Sequence, residues 1–102
     1  MDMKKMMKQA QKMQRDAAAA QQEIAAMTFE ASAGGGMVKA TATGEMAIID
    51  ITIDPAAVDP EDVEMLQDMV VAAVNEALRA ASEAANARMN AVMGGMKIPG
   101  LM

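Results

Sequence analysis

The chain contains no cysteine, histidine, tryptophan or tyrosine, and a single phenylalanine among its 102 residues. Each absence removes some chemistry. Without cysteine there is no disulfide, no thiolate ligand and no thiol nucleophile. Without cysteine or histidine a zinc site loses both of its favoured ligands, and acid–base catalysis would rest on carboxylates or lysine alone. Ser32 and Ser82, the only serines, have no histidine to activate them. The sequence reads as that of a non-enzyme, with no cofactor and no metal expected. Also missing is any run of about 18 consecutive apolar residues, the length a transmembrane helix needs. The opening Met1-Asp2-Met3-Lys4-Lys5 leads into no continuous apolar stretch of the kind a signal peptide carries. These features fit the cytosol.

What is present is apolar but thin. The hydrophobic fraction of 53% consists of 23 Ala, 14 Met, one Phe and only 16 Val, Ile and Leu together. A large aliphatic side chain contributes about 1.5–3 kcal/mol when fully buried, and alanine much less. Sixteen such residues are few for two long helices and a sheet, and association is the usual remedy for a small core.

The clearest periodic signal lies in residues 3–27. Met3, Met6, Ala10, Met13, Ala17, Ala20, Ile24 and Met27 are spaced alternately three and four apart, a heptad seam unbroken by Gly or Pro. A helix is predicted there, with its seam against another helix. Period two then takes over. Segments 28–33, 37–43 and 46–54 alternate as strands, separated by Gly34-Gly35-Gly36 and Gly44-Glu45, so a three-stranded antiparallel meander is expected. The third strand sets Ala47, Ile49, Ile51 and Ile53 against Ile48, Asp50, Thr52 and Asp54. Being the most apolar, it is expected at the centre of the assembled sheet. After Pro55, Asp59-Pro60 reads as an N-cap followed by the first helical residue, and a helix is predicted over 60–93. Its stripe is Val63, Leu66, Val70, Val74, Ala77, Ala81 and Ala84, widened by Leu78 and Ala85. The aliphatic first half should cover the sheet, and the alanine-rich second half should lie close against the first helix. Residues 96–102 are expected to be a flexible tail. The fold class is α+β, in the order α-β-β-β-α.

A net charge of −5 hides a strong polarity. Lys4, Lys5, Lys8, Lys12 and Arg15 supply five of the nine cations, whereas residues 40–78 hold nine acids and no cation. Lys4, Lys8, Lys12 and Arg15 share one helix face, with Lys5 beside it. Such a face suits the phosphate backbone of a nucleic acid, and it also describes an ordinary solvated helix. With only Phe29 aromatic there is no platform for unpaired bases, which favours a duplex over a single strand. Base readout by an arginine fork would rest on Arg15, Arg79 or Arg88, and their spacing aims none of them at a base edge.

Other readings are weaker. Methionines at helical spacing suit a packed seam better than a soft-metal site lacking Cys and His. The acids between Asp50 and Asp62 lack the glycine and closing glutamate of a calcium loop. The triple glycine has no Gly-Lys-Ser/Thr behind it and reads as a turn. A helix with so narrow an apolar face and no aromatic anchor suits a membrane surface less well than DNA, and no membrane partner is expected.

Over essentially its whole length the chain resembles the YbaB/EbfC family of bacterial nucleoid-associated proteins. The resemblance is carried by MMKQAQKMQ at 6–14, SAGGGMVKATATGE at 32–45, IDITIDP at 49–55, DVEMLQDMVVAAVNEAL at 62–78 and MGGMKIPG at 93–100. It implies a cytoplasmic, nucleoid-associated homodimer of tweezer-like shape, with central sheets pairing the subunits and terminal helices projecting. It also implies binding of double-stranded DNA with little sequence preference, in nucleoid organisation or gene regulation. Carried onto this chain, the implied DNA-binding residues are Lys4, Lys5, Lys8, Lys12, Arg15, Arg79 and Arg88. Two departures stand out: Arg79 and Arg88 have Glu83 between them, and Ala40 and Ala42 thin the second strand, which would make a dimer interface shallow. The reading from a different class is a structural module whose projecting helices dock a protein partner or self-assemble.

Overall fold

The computed structural model describes residues 2–94. Its elements run α1 (Met3–Ala26), β1 (Thr28–Ala33), β2 (Val38–Thr43), β3 (Ile48–Ile53), a short 3-10 turn at Pro55–Ala57, and α2 (Val63–Gly94). The architecture is α+β, with one antiparallel sheet in the order β1-β2-β3. The tail expected at residues 96–102 lies outside the described residues.

Each boundary has a local cause. Asp2 opens α1, its carboxylate accepting the Lys4 amide hydrogen at 3.1 Å. The chain leaves α1 at Met27, whose extended backbone leads directly into β1. Gly34, Gly35 and Gly36 all take positive φ, between 62° and 93°, and turn β1 into β2 where side-chain-bearing residues would be strained. The start of α2 differs from the sequence expectation. Asp59 accepts the Glu61 amide hydrogen and its carbonyl accepts that of Asp62, both at 2.9 Å, so Asp59–Asp62 is a closed turn. Asp62 then caps the helix by accepting from the Met65 amide at 3.2 Å, and α2 begins at Val63 rather than Pro60. Asp followed by Pro serves a tight turn as readily as a helix start.

The sheet also departs from strict alternation. Thr41 pairs with Asp50 but Ala42 pairs with Ile48, so Ile49 has no counterpart on β2 and forms a bulge. The extra residue shifts the parity of β3. Ile48 therefore joins Ile51 and Ile53 on the same sheet face as Val38, Ala40 and Ala42, with which they pair, instead of facing away from it.

The core lies between the sheet and α2. Val38, Ala40, Ala42, Ala73, Ala77 and Ala81 are all fully buried, with Phe29, Ile48, Leu66, Val70, Val74 and Leu78 packed around them. Ala40 and Ala42 therefore lie beneath α2; they do not thin an outer face. Alanine opposite alanine lets helix and sheet approach closely, although each methyl adds only about 0.8 kcal/mol. Val63 stays half exposed, beyond the sheet. In the order β1-β2-β3 the central strand within the chain is β2, and β3 is an edge that α2, lying over β1 and β2, leaves uncovered. Ile49, Ile51 and Ile53 remain 58, 41 and 37% exposed.

The described chain is long and narrow, 72 × 27 × 16 Å, with a radius of gyration of 20.0 Å. A compact domain of similar length would have about 13 Å. The excess comes from the two long helices, α1 and the outer half of α2. Ala20 and Ile24 at the root of α1 are buried, whereas Met3, Met6 and Met7 at its tip are 75, 51 and 59% exposed. Between these ends a groove of about 350 Å³, lined by Ala10, Met13, Gln14, Ala17, Met89 and Val92, marks where α2 runs beside it.

Candidate nucleic-acid interface

α1 is an arm with two unlike faces. At 3.6 residues per turn, Lys4, Lys8, Lys12 and Arg15 fall within an arc of about 80°, and Lys5 widens it to about 100°. The seam from Met3 to Ile24 lies roughly 160° away around the helix by the same reckoning. Packing the seam inward therefore turns the basic face outward. All five cations are exposed, and among the described residues none lies within ion-pair distance of a carboxylate. From Lys4 to Arg15 the arm spans about 16 Å, the axial rise of roughly five phosphates on one strand of a duplex.

Arg79 and Arg88 sit differently. The Arg79 guanidinium spans two carboxylates of its own helix: Nε donates to Glu76 at 3.0 Å, and the two Nη atoms reach Glu76 and Glu83. The hydrogen bond to Glu76, reinforced by the charges of Glu76 and Glu83, holds Arg79 protonated well above the usual arginine range. Hydrogen bonding from Arg79, with its charge, lowers the Glu76 carboxyl below the ordinary carboxylate range. Arg88 instead crosses to α1, donating to Glu23 Oε2 through Nε at 3.0 Å and Nη2 at 2.7 Å. The seven cations singled out in the sequence thus divide into five unpaired on the arm and two paired on α2.

The acids gather at the other end. Asp54, Asp59 and Asp62 each accept a backbone amide hydrogen, so their first role is to cap turns and α2. Among the described residues no group of three or more acids is placed to hold a metal ion. No helix of the described chain is long and apolar enough to cross a membrane. The Arg79 pairings were open to sequence reasoning, since Glu76 and Glu83 stand three before and four after it. The Glu23–Arg88 pair joins residues 65 apart and left no such signal.

This arrangement, an α-β-β-β-α chain with a basic first helix, has matches among known proteins. A family model described as the YbaB/EbfC DNA-binding family matches residues 1–96. The chain belongs to the YbaB/EbfC DNA-binding family. A nucleoid-associated protein of Pelotomaculum thermopropionicum is 54% identical to it over 100 residues, covering 98% of this chain and 95% of the relative. One from Acetivibrio thermocellus is 57% identical over 97 residues, covering 94% and 86%. Among solved structures, the uncharacterized protein HP0035 from Helicobacter pylori superposes with a TM-score of 0.73. It shares 23% identity and covers 95% of this chain and 99% of its own, a likeness of fold. The family's description and the relatives' names are those of nucleoid-associated DNA-binding proteins and not of an enzyme.

Proposed function

We propose that this YbaB/EbfC chain is a nucleoid-associated protein that grips double-stranded DNA as a homodimer, with little sequence preference, in nucleoid organisation or gene regulation. One observation carries the reading: five exposed cations share one face of a projecting helix with no carboxylate partner among the described residues. Unpaired cations are free to replace the condensed counterions of a duplex, and that exchange dominates sequence-tolerant binding. Arg79 and Arg88 join the grip by exchanging carboxylates for phosphates, so their share is smaller. The names of the relatives support the nucleoid as its place of action.

The homodimer reading draws on β3. Among the described residues its outer edge has no strand beside it, and Ile49, Ile51 and Ile53 are exposed, a combination that invites pairing with a second β3. Joining two edges would put β3 at the centre of a six-stranded sheet and leave one arm projecting from each subunit.

Fluorescence anisotropy of a labelled duplex of about 20–30 base pairs, titrated across about 50–200 mM salt, tests the grip. Five contacts per arm give a log–log salt slope of about −4.5, and two arms about −9. Changing Lys4, Lys5, Lys8 and Lys12 together to Glu should abolish binding across that range. Native affinity in that variant would refute the assignment of the arm.

A further inference from the structure

We infer that Gly44 is the positioning residue of the basic arm: the absence of a side chain there lets the β2–β3 turn seat on the last turn of α1 and fixes the arm's direction. The inference rests on α1 being the DNA-gripping element, but its geometry can be tested without DNA.

Three observations meet at this point. The Gly44 amide donates to the Met27 carbonyl at 3.1 Å, and the Met27 amide donates back to the Ile24 carbonyl at 3.0 Å, so the turn is tied to the helix end. A Cβ on Gly44 would overlap the Ile24 carbonyl oxygen, lying 2.5 Å from its carbonyl carbon and 2.6 Å from its Cγ2. Two of those three atoms are helix backbone and cannot swing aside as a side-chain tip can. Ile24 is itself buried, only 6% exposed, so the helix end cannot retreat without opening the seam. Gly44 is not in the left-handed region; space is what its position requires. Gly35 is the reverse case, with φ of +69° and nothing within 4 Å of where its Cβ would stand.

The arm amplifies any shift at its root. Lys4 lies 20 residues from Ile24, about 30 Å along the helix. A displacement of about 1 Å at the root, acting over a contact roughly two turns (about 10 Å) long, moves Lys4 by about 3 Å. That is the length of a hydrogen bond, enough to take a lysine off its phosphate.

The chain has no native cysteine, so Gln11→Cys with Ser32→Cys places one spin label on the arm and one on β1. Electron–electron resonance on the full chain, diluted with unlabelled protein, then reads the arm-to-sheet distance within one subunit. Gly44→Ala should shift or broaden that distance by several Å, whereas Gly35→Ala should leave it as in the native chain. In otherwise native chains, Gly44→Ala should weaken duplex binding at least about threefold, as loss of a phosphate contact per arm predicts. A native distance in Gly44→Ala would overturn the inference. If that variant loses its helical circular dichroism, hydrogen exchange of the native chain decides. A Gly44 amide as protected as those of β2 supports the pivot, and one exchanging like an open turn overturns it. Failure of the native chain to bind duplex would instead sink the DNA reading, leaving the distance measurement to judge the pivot.

Discussion

Met46 is a single residue under visible strain. It has φ of +64°, the only non-glycine with positive φ among the described residues, and follows Gly44-Glu45 in the β2–β3 turn. Its amide donates to the Thr43 carbonyl at 3.0 Å, so the left-handed backbone closes the hairpin. Such a conformation costs an L-residue about 1–2 kcal/mol, whereas glycine adopts it freely but loses more entropy on folding. Met46→Gly should therefore stabilise the chain by about 0.5–1 kcal/mol net, read as a rise of a few degrees in thermal melting. The opposite sign is expected at Ala77, which is fully buried in the core between α2 and the sheet. Ala77→Leu adds three carbons where there is no space, and should cost about 1–3 kcal/mol in denaturant melts. A neutral result there would mean that helix and sheet are not held at alanine distance.

At the scale of elements, the two helices use charge differently. The cations of α1 face outward unpaired; those of α2 are tied to carboxylates. The pair on α2 gives a pH dependence of definite sign. Glu76 is lowered by its hydrogen bond from Arg79, so its contribution to stability is present above the ordinary carboxylate range and fades as pH falls through the lowered value. The pair is exposed and the effect small. Glu76→Gln should lower stability slightly at neutral pH and converge with the native chain at acid pH, flattening the acid side of the profile, a comparison that melts at pH 3 to 7 would make. The elements themselves were largely legible. α1 showed in its spacing of three and four because nothing interrupts it, and the meander showed in its glycine turns. Where legibility failed, the same residues fitted two local structures. Asp59-Pro60 fits a turn or a helix start, and the contest was settled by Asp62 capping a helix that begins at Val63. The bulge at Ile49 has no flag in a run of isoleucines, so the faces of β3 could not be read by counting. The five unpaired cations of the arm were visible as a cluster. What sequence could not supply was the Glu23–Arg88 tie or the seat of Gly44 on α1, because each depends on chain segments meeting in space.

For the whole molecule, the number of arms decides how DNA is held. One chain offers the five unpaired cations of its arm and a net charge of −5, so its acidic body repels the duplex its arm attracts. Two arms on one particle would double the contacts without new chemistry and offset that repulsion, because the second arm binds at high effective concentration once the first is engaged. In a twofold pairing of β3 edges, residues near the axis meet their own copies, so a carboxylate introduced there faces another carboxylate. Ile49→Asp with Ile51→Asp suits this test, since both side chains are exposed in the single chain and their loss should little disturb its fold. Sedimentation should show the double variant as a monomer, and its salt slope on a duplex should fall to about half the native value, from about −9 toward −4.5. A monomer with the full native slope would mean that one arm makes all the contacts. A variant that stays dimeric would move the interface away from β3, toward the exposed methionines at the tip of α1.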